Sequence, residues 1–158
     1  MATSTDVEIR APRSADSVEI TQLAGLLTTL GYPTTVGQLA SRLRAIEPSV
    51  RREDVTVLVA ARGAEVMGLA TVHLYTVLHV DDRRAQLTAL VVGDAFRRHG
   101  IGRSLVMAAA EWARAGGSAN LTLTTALHRA EAHAFYERLG FAFTGRRYVL
   151  TLPRTSDT

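Results

Sequence analysis

The first third of the chain carries apolar residues at helical spacing. A first helix is predicted by apolar residues at intervals of three and four positions: Ile20, Leu23, Leu26, Leu27 and Leu30. Asp16 precedes this run and Glu19 follows three residues later, which is the spacing of a capping box. Gly31 can stop the helix, and Pro33 prevents its return.

A second helix is predicted directly after the first. Thr35 and Gln38 form another capping box, and apolar residues follow at Leu39, Leu43 and Ile46. We expect Pro48 to end this helix, because proline has no N–H to donate. A short strand over residues 7–10 precedes both helices.

The middle of the chain is rich in β-branched residues. A buried strand is predicted over residues 55–62 and a second over 66–77, joined by a turn at Gly63 as a hairpin. A polar turn at residues 81–84 leads to a third strand over 85–92. These segments predict an antiparallel meander.

The connections change after the third strand. Residues 100–115 have helical spacing and end at a Gly-Gly pair, and residues 119–125 again favour a strand. A strand, helix and strand in this order predict a parallel, right-handed crossover. A last helix is predicted over 129–139, followed by one or two strands in 141–152. The fold class is therefore α+β.

Composition narrows the classes of function. Apolar residues make up 47% of the 158 residues, and no run approaches the ~20 that a membrane helix needs. Residues 1–6 do not form a secretory signal, and cysteine is absent, so we expect a cytoplasmic protein without disulfides or a cysteine nucleophile. All 18 basic residues are arginine, scattered among acids, so no nucleic-acid partner is expected. One domain is predicted over 7–152, with flexible tails at 1–6 and 153–158.

A candidate phosphate site follows the third strand. The strand runs into a tight loop with Gly100 and Gly102, and a helix begins at once. Backbone N–H groups at a helix N-terminus attract phosphate, and glycines let it approach closely. A Rossmann fingerprint would need a third glycine where Leu105 stands, and a P-loop would need a lysine, which the chain lacks.

The segment resembles the acetyl-CoA motif of the GNAT (GCN5-related) N-acetyltransferase superfamily. Its pattern, Arg/Gln-x-x-Gly-x-Gly/Ala, is met by residues 97–102. The resemblance implies a GNAT fold: a mixed, mostly antiparallel sheet of six or seven strands with a central parallel step, flanked by about four helices. It also implies acetyl-CoA as co-substrate. The implied cofactor-binding residues are Leu90, Val91, Val92, Arg97, Arg98, His99, Gly100, Ile101, Gly102, Arg103, Ser104 and Arg129.

The same resemblance implies roles for the strand before the loop. Its end would pair with the pantetheine arm through main-chain hydrogen bonds. A bulge would splay it from the next strand, and a backbone N–H near Val92 would polarise the thioester carbonyl.

A second GNAT motif covers the last helix. The family pattern Asn-x-x-Ala-x-x-Phe/Leu-Tyr-x-x-x-Gly-Phe is met at Ala132, Phe135, Tyr136, Gly140 and Phe141. By resemblance, Tyr136 is the catalytic acid that protonates the leaving thiolate of CoA. Arg129 stands where the family usually has Asn, as in some small-amine GNAT enzymes, including aminoalkylphosphonate acetyltransferases. Arg129 could reach a phosphate or an acidic acceptor instead.

The general base is left open by the sequence. Many GNAT enzymes carry Glu on the strand before the loop, and Thr88 stands at the equivalent position here. His73 and His79 are candidate bases, as is His133, and a chain of waters is the alternative. No set of histidines and carboxylates has metal-ligand spacing, so no metal is expected.

The resemblance implies an enzyme that acetylates a small-molecule primary amine, and the architecture of the family implies that the two N-terminal helices cover the acceptor. Two alternatives stay open: a protein or peptide N-acetyltransferase, and a non-catalytic acyl-CoA sensor. No membrane partner is expected, and a homodimer is expected by analogy with the superfamily alone.

Overall fold

A computed structural model describes residues 6–13 and 15–154 of the chain. The described chain divides into two compact units between Leu123 and Thr124. The first unit contains β1 (Glu8–Arg10), α1 (Ser17–Leu30), α2 (Val36–Arg51), β2 (Val55–Arg62), β3 (Glu65–Tyr75), β4 (Arg83–Val92), a 3₁₀ turn (Asp94–Phe96), α3 (Ile101–Ala115) and β5 (Ser118–Leu123). The second contains α4 (Ala130–Arg138). Most of the predicted tails, 1–6 and 153–158, lies outside the described residues.

One sheet runs through the first unit in the order β1-β2-β3-β4-β5. Its first four strands are antiparallel, and β5 lies parallel to β4. The connection between the two parallel strands contains α3, as the crossover pattern predicts. The α+β class and the central parallel step are therefore confirmed.

Helices cover both faces of this sheet. On one face, α1 and α2 bury apolar residues such as Leu23 and Leu39 against Val59 and Leu69. On the other face, the N-terminal end of α3 packs closely on Gly68, where an added Cβ would lie 2.9 Å from Leu105 Cδ1. Residues 68 and 69 face opposite ways because side chains alternate along a strand.

The predicted six or seven strands are wrong: the described residues form five. Residues 141–152 were expected to add one or two strands, but none of them lies in a strand. The segment has strand-like residues such as Phe143 and Val149, which are 78% and 71% exposed. Strand propensity reflects packing against a neighbouring strand, and the local pattern does not supply that neighbour.

The prediction that Pro48 ends the second helix is also wrong. The helix continues to Arg51, with Pro48 inside it. A proline costs the N–H bond at its own position, but its carbonyl still accepts. Here the Arg52 N–H donates to the Pro48 carbonyl at 3.3 Å, so one further turn forms.

The two predicted capping boxes have different outcomes. Thr35 and Gln38 exchange both hydrogen bonds, at 3.2 and 2.9 Å. Asp16 caps α1, but Glu19 does not return to the cap. Its carboxylate instead accepts two bonds from the Arg10 guanidinium, at 3.0 and 2.8 Å, which ties β1 to α1.

No helix within the described residues is both long enough and apolar enough to cross a bilayer.

Candidate active site

A β-bulge interrupts β4 where the resemblance implies one. Across the two strands Thr71 pairs with Ala89, and Val72 pairs with Leu87. Thr88 is therefore an extra residue without a partner position on β3. Bulges bend a strand and increase its local twist, which changes its direction relative to its neighbours.

The hydrogen-bonded ladder between β4 and β5 ends at the bulge in β4. Its last pair is Leu87 with Leu123, whereas β4 continues to Val92. Along an antiparallel strand, some backbone N–H and C=O groups point away from the paired neighbour. In residues 88–92, the groups that point away from β3 have no partner in the β5 ladder. They form an open strand edge that an extended ligand can pair with.

The loop after β4 leads into a helix end without a side-chain cap. The Gly93 N–H donates to the Met67 carbonyl at 2.9 Å, which fixes the start of the loop. Arg98 and Gly100 have positive φ angles of 64° and 78°. Gly100 is the N-cap of α3 and makes no side-chain capping bond. The first N–H groups of α3 thus remain suited to an anion.

The side chains of this loop are exposed and partly tied to its backbone. Arg97 pairs with Asp94 at 3.1 Å, and its Nε donates to the Val92 carbonyl at 3.4 Å. His99 Nδ1 donates to the Arg97 carbonyl at 2.8 Å. The Ser104 hydroxyl donates to the Gly100 carbonyl at 3.0 Å, so its proton is already used within the helix. His99 and Ser104 therefore brace the loop.

A cavity of about 350 Å³ lies between the two N-terminal helices and the sheet. Most of its lining is apolar, and β4 contributes Ala89, the residue next to the bulge. The polar side chains that line it are Tyr32, Arg42, Thr71 and His73. The N-terminal helices thus cover a cavity that reaches the strand predicted to bind the thioester arm.

Hydroxyl groups lie beside this cavity at the bulge. Thr71 Oγ1 and Thr88 Oγ1 are 2.8 Å apart. His73 follows Thr71 by two residues, so both side chains lie on the same face of β3. His79 lies in the exposed connection between β3 and β4 and does not line the cavity. Of the candidate bases, the structure brings His73 to the cavity.

Thr71 and Arg42 line the cavity, but neither was predicted from the sequence as an individual site residue. No local signal distinguishes Thr71, because its position beside Thr88 depends on the register between two strands. Arg42 lies on α2, one of the two helices that were expected to cover the acceptor. Nothing in the local pattern distinguishes it from the other arginines of that helix.

In the second unit, Tyr136 lies in an aromatic cluster. Its ring makes edge contacts with Phe135 and Phe141, with centroids 5.1 and 5.5 Å apart. Burial raises the pKa of the Tyr136 phenol above its ordinary value of 10.0, and the charge of Arg129 opposes this rise. The phenol therefore stays protonated at neutral pH, as an acid must. His133 Nε2 donates to the Ala126 carbonyl at 2.9 Å.

No group of three or more His, Cys, Asp or Glu side chains among the residues that the structure describes could hold a metal ion.

Comparisons with known proteins identify the family. The family model described as Acetyltransferase (GNAT) family matches residues 26–141, which is more than half of the chain. The chain belongs to the GNAT acetyltransferase family. The aminoalkylphosphonate N-acetyltransferase of Salmonella typhimurium is 33% identical over 99 residues. That match covers 63% of this chain and 64% of the relative, which is less than two thirds of the relative's length.

Solved structures share the fold. An acetyltransferase from Trypanosoma brucei superimposes with a TM-score of 0.75 at 23% identity, over 93% of this chain and 100% of that one. Glucosamine-6-phosphate N-acetyltransferase from Arabidopsis thaliana gives 0.77 at 17% identity, over 94% and 99%. At these identities the likeness concerns the fold alone.

Proposed function

We propose that this protein transfers the acetyl group of acetyl-CoA to the primary amine of a small molecule. The observation that carries the proposal is the continuity of β4. Its open edge begins at the bulge beside the acceptor cavity, and the strand then leads into the uncapped N-terminus of α3. A thioester arm, a diphosphate and an acceptor would each meet a suitable surface along one strand.

The phosphates of acetyl-CoA would bind at the start of α3. The N–H groups of residues 100–103 would donate to the diphosphate, and Arg98 and Arg103 would add positive charge nearby. The pantetheine arm would then run along residues 90–92 and pair with the backbone groups that point away from β3. A backbone N–H near Val92 would donate to the thioester oxygen, where negative charge develops during the reaction.

The chemical step requires a neutral amine. An alkyl ammonium with a pKa near ~10.4 is ~3.4 units above neutral pH, which is worth roughly 4.6 kcal/mol. We propose that His73 takes this proton, directly or through a water held by the Thr71–Thr88 hydroxyl pair. The amine nitrogen then attacks the thioester carbon, the C–S bond breaks, and Tyr136 gives its proton to the departing sulfur. The second proton that the nitrogen loses as the amide forms returns through water to the Tyr136 phenolate and restores the phenol.

The cavity supports a small acceptor over a polypeptide. Its volume of about 350 Å³ lies in the usual range for small-ligand sites. The similarity to an aminoalkylphosphonate N-acetyltransferase makes short aminoalkylphosphonates the first acceptors to test. A homodimer stays a prediction by analogy with the family, and a cytoplasmic location stays a prediction from composition.

Release of CoA thiol in the presence of a panel of amines tests the proposal. The chain suits this assay because it contains no cysteine to react with the thiol reagent and no lysine to become acetylated itself. We expect turnover with at least one small amine. Turnover with peptide N-termini alone would favour the peptide enzyme, and tight CoA binding without any turnover would favour the sensor.

A further inference from the structure

We propose that Arg42 determines acceptor specificity by binding an anionic group at the far end of the amine, whose apolar body fills the cavity. This inference rests on the proposed function, because it assigns the acceptor class of the same site. It excludes polyamines and other polycations as good substrates.

The charge of the cavity carries the argument. Among its lining residues Arg42 has the only permanent charge, and none of them is a carboxylate. Two of the acids nearby on the chain are already paired with other arginines, and Glu53 lines a different pocket beside Trp112. Glu47 pairs with Arg51, and Asp54 with Arg52 and Arg83. Within residues 6–13 and 15–154, Arg42 forms no ion pair.

Arg42 is also held in position. Its Nη1 donates to Thr34 Oγ1 at 3.1 Å, and that hydroxyl donates to the Tyr32 carbonyl at 2.7 Å. These bonds fix the guanidinium at the connection between α1 and α2. A guanidinium has five N–H donors, so several remain to form a forked pair with an acidic group.

The distribution of polar groups sets the shape of the acceptor. Arg42 and Tyr32 belong to the helical side of the cavity, whereas Thr71 and His73 belong to the sheet. Apolar residues such as Leu43 and Ile46 complete the lining. A fitting molecule has its amine toward the sheet, an apolar body, and an anion toward Arg42. Arg42 and Tyr32 are both exposed, so the anion lies at the solvent-facing rim of the cavity, where a second ammonium would instead meet a like charge.

Matched acceptors test this assignment. We would compare ω-amino carboxylates of two to seven carbons with the alkylamines and diamines of the same length. Wild-type protein should give at least a tenfold higher kcat/KM with the best amino carboxylate than with its matched alkylamine, and the diamine should be poorest. Arg42→Gln should remove this preference by raising KM much more for the amino carboxylate than for the alkylamine.

Two further variants separate charge from folding. Arg42→Lys keeps the charge and should retain most of the preference. Arg44→Gln changes an exposed arginine on the same helix that does not line the cavity, and it should behave as wild type. A circular dichroism spectrum and melting temperature would establish that each variant is folded.

The outcomes distinguish this inference from the proposed function. Three results would overturn the role of Arg42 while the acetyltransferase activity stands. They are equal kcat/KM for amino carboxylate and alkylamine, a preference for the diamine, and an equal loss of activity for all acceptors in Arg42→Gln. If no amine is turned over, the proposed function fails. Calorimetric binding then decides the inference: tighter binding of amino carboxylate than alkylamine, lost in Arg42→Gln, supports it, and equal affinities overturn it.

Discussion

The hydroxyl oxygens of Thr71 and Thr88 lie 2.8 Å apart where the bulge separates the free edge of β4 from its paired part. Thr88 stands where many family members carry a glutamate, and a threonine hydroxyl cannot act as a base near neutral pH. We propose that the pair orients a water between the acceptor amine and His73, as a relay in place of the missing carboxylate.

The relay predicts a role for the Thr88 hydroxyl. Thr88→Val keeps the shape of the side chain and removes the hydroxyl, so we expect kcat/KM for the amine to fall about tenfold, corresponding to roughly 1.4 kcal/mol. The Kd for acetyl-CoA should stay the same. Thr88→Ser is the matched control and should retain most of the rate. Equal rates for the Val and Ser variants would show that the hydroxyl is not used.

The two candidate histidines can be separated by their pH profiles. His73 lines the cavity and His79 does not. His73→Gln should lower kcat/KM about 100-fold, which is the lower end of the rate enhancement that an acid–base group contributes. It should also flatten the acidic limb of the pH–rate profile. His79→Gln should leave both unchanged. A His73→Gln profile that superimposes on the wild type would rule out His73 as the base.

Tyr136 is predicted to act on the leaving group. Tyr136→Phe should lower kcat about 100-fold or more while the Kd for acetyl-CoA changes little, because the ring remains and only the acid is lost. Burial raises the pKa of the phenol above 10.0. We therefore expect that ionisation of the phenol does not lower the wild-type rate at any pH below 10.0. Tyr148→Phe, at a residue that is 85% exposed, is the control. A wild-type kcat in Tyr136→Phe removes the assignment.

The start of α3 is predicted to bind the diphosphate. Gly102→Trp should weaken acetyl-CoA binding about 100-fold, near 3 kcal/mol, because the indole would occupy the approach to the N–H groups. Met107→Trp places the same ring on an exposed part of the same helix and should bind normally. Titration calorimetry with CoA measures both. Unchanged affinity in Gly102→Trp would mean that the nucleotide binds elsewhere.

The Arg10–Glu19 pair is predicted to make stability depend on pH. The hydrogen bonds from Arg10 are the main reason why the pKa of Glu19 is lowered from 4.5. The stabilisation that the pair gives is therefore complete above pH 4.5. It is lost as the pH falls through the lower pKa that Glu19 has in the folded state. Arg10→Met should cost about 3–5 kcal/mol near neutral pH, because it leaves a buried carboxylate without its counter-ion and with the Arg13 N–H as its remaining hydrogen-bond donor. Urea unfolding measures this loss.

A double variant provides the control for that pair. Arg10→Met combined with Glu19→Met replaces both charges with apolar side chains and should recover most of the lost stability. If the double variant is as unstable as Arg10→Met alone, the loss comes from packing around Arg10 and not from the unpaired carboxylate.

Local patterns predicted most elements because their causes lie within a few residues. The capping box at Thr35, the apolar spacing of α1 and the glycines around α3 act over one or two helical turns. Glu19 shows where this reasoning ends. Its position predicts a bond to its own helix cap, but Arg10 on a different element competes for the carboxylate and wins with two charge-assisted bonds.

The sequence by itself determined the α+β class, the parallel step and the glycine loop before α3, because short-range periodicity and backbone freedom specify them. Only the tertiary structure decided that Thr71 meets Thr88, that His73 and not His79 reaches the cavity, and that Arg42 carries its only permanent charge. These relationships depend on strand register and helix packing between residues far apart in the chain. Hydrophobic patterns select which face is buried, but they do not specify which polar groups meet there.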